Sequence, residues 1–286
     1  MRDRFDPLIA ERAPWLFEDR FYAIPARAVL MSMLGYRRSL ALAELYRDWP
    51  VERIMHHLAG LLARNVKVSG LENIPRQGPA LIVSNHPTGI ADGIILHSLI
   101  WPLRPDLFIY TNSDILRLLP QFDRLIVPVE WRLEKRSMAK TRATMALTKA
   151  ALEAGRLGVI FPSGRLAKRR GLHLHERPWM TSAAMLARRY SLPVIPLKIQ
   201  ARNSALFYLF DLIHPSLRDI TLFHETLNKD RQPYRIAVGE PISAAALPAS
   251  SEEGIAILRR ATLALDAPQK PEVSLIRTSR VPSWAR

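Results

Sequence analysis

The chain has 286 residues, and its 41 Lys plus Arg against 26 Asp plus Glu leave a formal charge of +15. Hydrophobic residues at 48% and charged residues at 23% exclude a disordered or collagen-like chain. The absence of cysteine excludes a disulfide framework, a thiolate zinc site and a cysteine nucleophile.

The basic surplus points to an anionic partner, whether nucleic acid, an anionic membrane surface, or phosphates and coenzyme A, unless it is only a solvated surface. Residues 1–15, MRDRFDPLIAERAPW, are interrupted by acids and have no apolar core, so they do not read as a signal peptide. A spanning helix needs roughly 18 or more predominantly apolar residues. The longest uncharged candidate, Gln77–Ala91, carries two prolines, two glycines and His86, so the expectation is a soluble or peripheral chain.

Taken in order, Pro14–Arg64 reads as helices of basic and aromatic character. Ala26–Tyr46 is rich in Leu, Met and Ala, punctuated by Arg27, Arg37 and Arg38. From Pro50 onward, Val51, Ile54, Met55, Leu58, Leu61 and Leu62 recur at helical spacing. Such an element either lies in a membrane interface or caps the core.

From Asn65 the texture changes to short apolar runs alternating with helical stretches. Strands are predicted at Val66–Ser69, Ala80–Ser84, Leu107–Thr111, Leu125–Val129, Gly158–Phe161, Val194–Ile199 and Tyr234–Val238. Helices are predicted at Ala91–Ile100, Ser137–Ala154 and Arg177–Tyr190, and a last one opens with a capping box from Ser250 to Glu253 and runs to about Leu265. This alternation implies an α/β fold with a mixed, largely parallel sheet covered by helices on both faces. The expected division is 1–64 as N-terminal membrane-associating helices, 65–245 as the α/β core, and 246–286 as a C-terminal helix and flexible tail.

Two segments could carry chemistry. In residues 80–93, ALIVSNHPTGIADG, a buried-looking strand runs into Asn85, His86 and Pro87, then a Thr88–Gly89 turn, then a helix. Pro87 stops the strand and so presents His86 at its C-terminal end, the edge where open α/β sheets bind ligands. Asp92 lies one turn on, close enough to fold back onto the imidazole and fix its tautomer. Read the bland way, the pair is a buried histidine beside a helix-capping aspartate. No serine sits in a nucleophile elbow, so a working dyad here suits a reaction in which a substrate hydroxyl attacks.

In residues 158–179, a strand ends in Phe161-Pro162-Ser163-Gly164, followed by Arg165, Lys168, Arg169 and Arg170. A turn of this kind flanked by cations suits phosphate or another anion. His173, His175 and Glu176 lack a fourth partner, so no metal site is expected. The basic stretch at residues 127–142 is either a positive rim or a solvated loop. Neither a phosphate-binding nor a dinucleotide-binding glycine motif occurs.

Together these segments resemble the lysophosphatidic acid acyltransferase family, within the broader glycerolipid acyltransferase superfamily. That family carries N-H-x-x-x-x-D, then F-P-E-G-T-R, then an apolar strand with V-I-P. The matches here are Asn85-His86 with Asp92, Phe161 to Arg165, and Val194-Ile195-Pro196, in the same order over roughly residues 65–245. Five residues rather than four separate His86 from Asp92, and Ser163 stands where the family has glutamate. These variants resemble the hemolysin-like branch, which includes lyso-ornithine-lipid acyltransferases.

The resemblance implies that His86, oriented by Asp92, is the general base. It would activate an acceptor hydroxyl against the thioester of acyl-coenzyme A or acyl carrier protein, with no cofactor. Asn85, Thr88, Ser163, Gly164, Arg165 and Lys168 are the implied substrate-binding residues, with backbone amides near Gly164 as oxyanion donors. The implied acceptor is a lysolipid, by default lysophosphatidic acid, with a lyso-aminolipid as rival. The implied location is the cytoplasmic face of the membrane, bound peripherally to its anionic surface. A nucleic-acid-binding protein rests on charge alone, because no helix-turn-helix, zinc-finger or RNA-binding signature occurs. An inactive membrane-surface protein is the other reading, and intact His86 and Asp92 argue against it.

Overall fold

The computed structural model describes residues 1–130, 137–266 and 272–278. Trp131–Arg136 of the basic stretch, and much of the expected C-terminal tail, lie outside the described residues.

The central sheet is built from β1 (Val66–Ser69), β2 (Ala80–Ser84), β3 (Phe108–Asn112), β4 (Ile126–Val129), β5 (Leu157–Ile160), β8 (Val194–Gln200) and β9 (Tyr234–Val238). Their order across the sheet is β1-β9-β8-β2-β5-β3-β4. All neighbours run parallel except β8 and β9, so β1 and β9 oppose the other five strands. The expected strands are therefore found within a residue or so of their predicted bounds.

Alternation along β2 shows how both faces are covered. Ile82 belongs to one apolar cluster, while Leu81 and Val83 belong to another on the opposite side. The first cluster is closed by α1 (Arg2–Ala10), α2 (Ala23–Met33), α3 (Tyr36–Leu45), α4 (Val51–Leu62) and α5 (Ile90–Ile100). Phe5, Leu8 and Leu16 thus share a core with Ile82, Ile199 and Tyr234, so the N-terminal helices are built into the fold. Within the helical stretch Ala26–Tyr46, Gly35 with φ of +68° turns the chain between α2 and α3. The opposite face is closed by α7 (Met138–Glu153), α8 (Ser182–Arg189) and α11 (Ser251–Ala264).

Three features were not expected. A small second sheet joins β6 (Lys168–Arg170), β7 (His173–His175) and β10 (Val273–Ser274) in the order β10-β7-β6, antiparallel throughout. Val273 and Leu275 are buried in it, so this part of the expected flexible tail is packed. Two helices, α9 (Ala205–Ile213) and α10 (Pro215–Glu225), follow β8, and α9 packs Phe207 and Tyr208 against the small sheet. Finally, α8 starts at Ser182 rather than Arg177, because Glu176 to Met180 are drawn into the region around His86. The Met180 N–H, for example, donates to the Pro162 carbonyl. A short helix, α6 (Asp114–Leu118), completes the described set of α-helices.

At the N-terminal edge of the parallel strands, buried Arg104 ties several loops together. Its guanidinium donates to the carbonyls of Pro75, Gly78 and Gly155 at 2.8–2.9 Å and to both Asp106 oxygens at 2.7–2.8 Å. No helix among the described residues is long and apolar enough to cross a membrane.

One buried group on α5 makes a stability prediction. Burial lowers the His97 imidazole to about 4, with its ring stacked on Trp101 at 5.0 Å. The unfolded chain, with the ordinary value near 6.5, takes up this proton first, so stability is lost as pH falls from about 6.5 toward about 4. The full contribution is about 3 kcal/mol. Urea denaturation followed over that range will show a shallower acid limb in His97→Leu than in the parent protein.

Candidate active site

Because β2 and β5 are parallel neighbours with Val83 opposite Ile160, the two chemistry-bearing loops leave the sheet at the same edge. His86 therefore meets Phe161 directly, ring on ring, with centroids 4.2 Å apart and planes at 29°. The connection continues through the backbone, where the Ala167 N–H donates to the His86 carbonyl at 2.9 Å. Two motifs far apart in sequence are joined by strand register alone.

The turn after His86 is shaped by Gly89, which adopts φ of +93°. A Cβ there would sit 3.2–3.3 Å from methyl groups of Leu166 and Leu222, so both backbone and space require glycine. The turn aims two amides at Asp92. The N–H groups of Thr88 and Gly89 donate to Asp92 Oδ2 at 2.9 and 3.0 Å, and the Thr88 hydroxyl donates to Oδ1 at 2.5 Å. His86 Nδ1 lies 3.0 Å from the same Oδ2, close but without the alignment of a full hydrogen bond, and has no other polar partner. Asp92 is fully buried, whereas the His86 side chain remains 20% exposed.

Glu176, earlier weighed only as a poor metal ligand, holds the other side of His86. Its Oε2 accepts the His86 backbone N–H at 3.2 Å and its Oε1 accepts the Trp179 indole at 3.0 Å. Burial of its carboxyl raises it above the ordinary glutamate range, against the opposing pull of Trp179, the His86 amide and Ser163. Nothing in the sequence spacing marks this role. His173 and His175 lie on β7, where His175 pairs with Lys168 across the small sheet.

The remaining expected site residues fall into two groups. Asn85 and Thr88, expected at the substrate, are buried with their polar atoms engaged by the protein. The Asn85 amide donates to the Ile199 carbonyl at 2.9 Å and accepts the Ile199 N–H at 2.7 Å, joining the ends of β2 and β8. The Gly164 N–H, expected near an oxyanion, donates instead to the Phe161 carbonyl at 2.9 Å and closes its own turn. The Ser163 hydroxyl likewise turns inward, to the Arg165 carbonyl at 2.8 Å.

Arg165, on the loop that passes His86, and Lys168, at the start of β6, are both exposed. Sequence reasoning missed their neighbours Arg177 and Arg218. Burial, then the positive charges of Arg165 and Arg218, lower the Arg177 guanidinium, while Asp211 and Glu176 act against them. Arg218 on α10 is held by Asp219 at 2.7 Å and Asp211 at 3.1 Å. An arginine in the middle of the otherwise amphipathic PSLRDITL was the available signal. Among the described residues no group of three His, Cys, Asp or Glu gathers as a metal site would require.

Comparison with known proteins adds the following. Residues 65–200 match the family model described as Acyltransferase. The lyso-glycine lipid O-acyltransferase of Phocaeicola vulgatus is 25% identical over 187 residues, which cover 63% of this chain and 65% of that protein. The Bacteroides thetaiotaomicron protein of the same name is 25% identical over 147 residues, covering 51% of this chain and 52% of that protein. A crystal structure of the 1-acyl-sn-glycerophosphate (LPA) acyltransferase, PlsC, from Thermotoga maritima aligns with a TM-score of 0.46 at 18% identity, covering 93% of this chain and 98% of that one. The matches thus span from about half to 65% of the length of these curated relatives.

The placement of Asn85 gives a test. Asn85→Ala strands the buried Ile199 N–H and carbonyl and will lower stability by about 2 kcal/mol in thermal or urea denaturation. If Asn85 instead contacts a substrate, the variant will keep its stability and show only weakened substrate binding.

Proposed function

We propose, from the match of residues 65–200 to the Acyltransferase family model, that this chain moves a fatty acyl group from a thioester donor to a hydroxyl of a lysolipid. The observation that carries the reading is the pairing of a part-exposed His86 with a buried, donor-surrounded Asp92 at the C-terminal edge of β2. His86 Nε2 takes the proton of the acceptor hydroxyl as its oxygen attacks the thioester carbonyl. The new C–O bond forms, the C–S bond breaks, and the imidazolium returns its proton to the departing thiolate. Asp92 holds Nδ1 and supports the positive charge on the ring during this exchange. With no cysteine in the chain, acyl transfer does not pass through an enzyme thiol.

The acceptor's anionic group is read by Arg165, Arg177 and Arg218, whose guanidinium groups match carboxylate and phosphate alike. The preferred acceptor is a lyso-aminolipid. Two facts favour it: Ser163 stands in place of the family glutamate, and two relatives are lyso-glycine lipid O-acyltransferases. Lysophosphatidic acid is the second reading, favoured by the three arginines, which suit a dianionic phosphate. The donor is acyl-coenzyme A or acyl carrier protein.

The enzyme works from the surface of an anionic membrane, in this reading on its cytoplasmic face. In α2 the outward positions are Ile24, Pro25, Ala28, Val29, Ser32 and Met33, preceded by Phe21, which is 92% exposed. In α9 the outward stripe is Ala205, Leu209, Leu212 and Ile213, and Leu212 and Ile213 are 69% and 62% exposed. Both helices flank α10. Leu30 and Met31 of α2 meet Ile220 and Phe223 around a small apolar cavity, and the chain leaving α9 enters α10 directly. Exposed Arg37 and Arg38 begin α3, and Arg218 lies on α10. Basic residues near an anionic surface each contribute roughly 1 kcal/mol, so arginines beside two apolar stripes suit interfacial binding.

The deciding experiment supplies labelled acyl-coenzyme A or acyl carrier protein with lyso-glycine lipid, lyso-ornithine lipid or lysophosphatidic acid, and identifies the product by mass spectrometry. Faster acylation of an aminolipid is expected. Loss of general-base catalysis will reduce kcat in His86→Ala by about 100-fold or more, with Asp92→Asn close behind. A His86→Ala enzyme that keeps most of its activity removes the dyad from the mechanism.

For the membrane, the double variant Leu212→Asp/Ile213→Asp leaves the core untouched and will lose most co-sedimentation with anionic vesicles. Unchanged co-sedimentation takes α9 out of the interface.

A further inference from the structure

The hydrogen bonds around Asp92 extend past the turn that makes them. Both backbone amides, from Thr88 and Gly89, converge on Oδ2, the oxygen that also faces His86 Nδ1. Of the hydrogen bonds found to this carboxylate, only the Thr88 hydroxyl reaches Oδ1. The Thr88 hydroxyl is in turn 2.7 Å from the hydroxyl of Tyr234, a residue 146 positions away at the start of β9. In the sheet, β8 lies between β9 and β2, so this contact links the turn after β2 to a strand two places away.

The protons in this chain can be assigned by counting. A threonine hydroxyl has one hydrogen, and Asp92 in this pairing can only accept it. Thr88 therefore donates to Asp92, and its own oxygen must receive from Tyr234. Tyr234 is 1% exposed, and its hydroxyl has no other hydrogen-bond partner. Burial, reinforced by the nearby Asp92 charge, raises the Tyr234 phenol well above its ordinary value, so it remains a donor. Behind it stands the buried ion pair of Glu225 and Lys229, with Glu225 also accepting the Ser204 N–H at 2.9 Å and the Ser204 hydroxyl at 2.5 Å.

We propose that Tyr234, acting through the Thr88 hydroxyl, is a positioning residue for the acyl-transfer site: it fixes Asp92 Oδ1 and so keeps Oδ2 against His86 Nδ1. The inference rests on the general-base reading of His86 and Asp92. Its physical basis is rotational. Rotation about Cβ–Cγ moves both carboxylate oxygens, and the contact with Nδ1 is already short of full alignment. A donor on Oδ1 adds to the two amides on Oδ2 a restraint on the opposite side of that axis, which narrows the swing that would carry Oδ2 away from Nδ1. A phenylalanine would fill the Tyr234 volume equally well, so packing alone does not account for a hydroxyl there. Thr88 is accordingly a positioning residue and not one that touches the lysolipid.

The test uses the full chain and steady-state acyl transfer in four variants: Thr88→Val, Thr88→Ser, Tyr234→Phe, and Thr88→Val/Tyr234→Phe. Thr88→Val and Tyr234→Phe are expected to lower kcat by about 10-fold or more with both KM values nearly unchanged. Thr88→Ser, which keeps the hydroxyl, restores most of kcat. The double variant is no worse than Thr88→Val, because Tyr234 acts only through Thr88.

Full kcat in both single variants overturns the proposal, as does multiplicative loss in the double variant. A rise in acceptor KM without a fall in kcat does the same, since it would put Thr88 on the substrate. If Tyr234→Phe does not fold, the comparison of Thr88→Val with Thr88→Ser decides alone. A parent enzyme without acyl transfer, or a fully active His86→Ala, overturns the dyad itself and is thereby distinguished from failure of the Tyr234 link.

Discussion

A carboxylate buried completely inside a protein must be surrounded by donors, and in this fold Asp92 imposes that requirement on everything near it. The turn Pro87–Gly89 points two amides at one oxygen. Glycine at 89 is the local consequence, because a side chain at its φ of +93° would be strained and would press on methyl groups of Leu166 and Leu222. Tyr234 on β9 is the distant one. The histidine is then the group through which this polar cluster meets the surface, and its ring rests on Phe161 as a flat apolar support.

The geometry of that cluster is set from the other side of the sheet as much as from its own. Arg104 gathers carbonyls from the loops that enter β2 and β5 and a carboxylate from the loop that enters β3. Three parallel strands are thereby held in register at their N-terminal ends. Register at one end of a strand is register at the other, so His86 and Phe161 emerge level with each other at the opposite edge. A buried guanidinium tolerates few alternatives, since each of its donors must keep a partner. It therefore constrains the sheet more tightly than apolar packing alone would.

The seven sheet strands were legible in the sequence because buried parallel strands are near-continuous apolar runs bounded by Pro, Gly and Asn. The His86–Asp92 pair was legible because its partners lie on either side of a single short turn. What stayed hidden depends on long-range pairing. Glu176 reads as one member of an H-x-H-E run, and only the path of the chain after β7 brings its carboxylate under the His86 amide. Tyr234 opens a strand whose order in the sheet, two places from β2, no local pattern encodes. Asn85, next to a histidine in a motif, reads as a substrate contact, yet its amide matches the open backbone of Ile199 on β8. The N-terminal helices show the same limit in reverse. Their aromatic and basic composition left open a membrane-interface element or a cap on the core; Phe5, Leu8 and Leu16 complete the central core, while α2 keeps an exposed apolar stripe.

That unpartnered stripe bears on how a chain with no spanning helix among its described residues would reach a lipid. Under the proposed function, a lysolipid would present its hydroxyl just below the headgroup, and His86 would have to approach the headgroup plane without crossing it. The strand-edge position of His86 supplies that approach. Arg165 and Arg177 come from the loops that pass it, and α9 and α10 bring an apolar stripe and Arg218 to the same region. The salt bridge from Arg218 on α10 to Asp211 on α9 ties that arginine to the helix that carries Leu209, Leu212 and Ile213. Under the proposed function this bridge would couple headgroup recognition to interfacial contact: a helix that settles into the interface would also fix the arginine beside it, and part of the excess of fifteen positive charges would have a place in the chemistry.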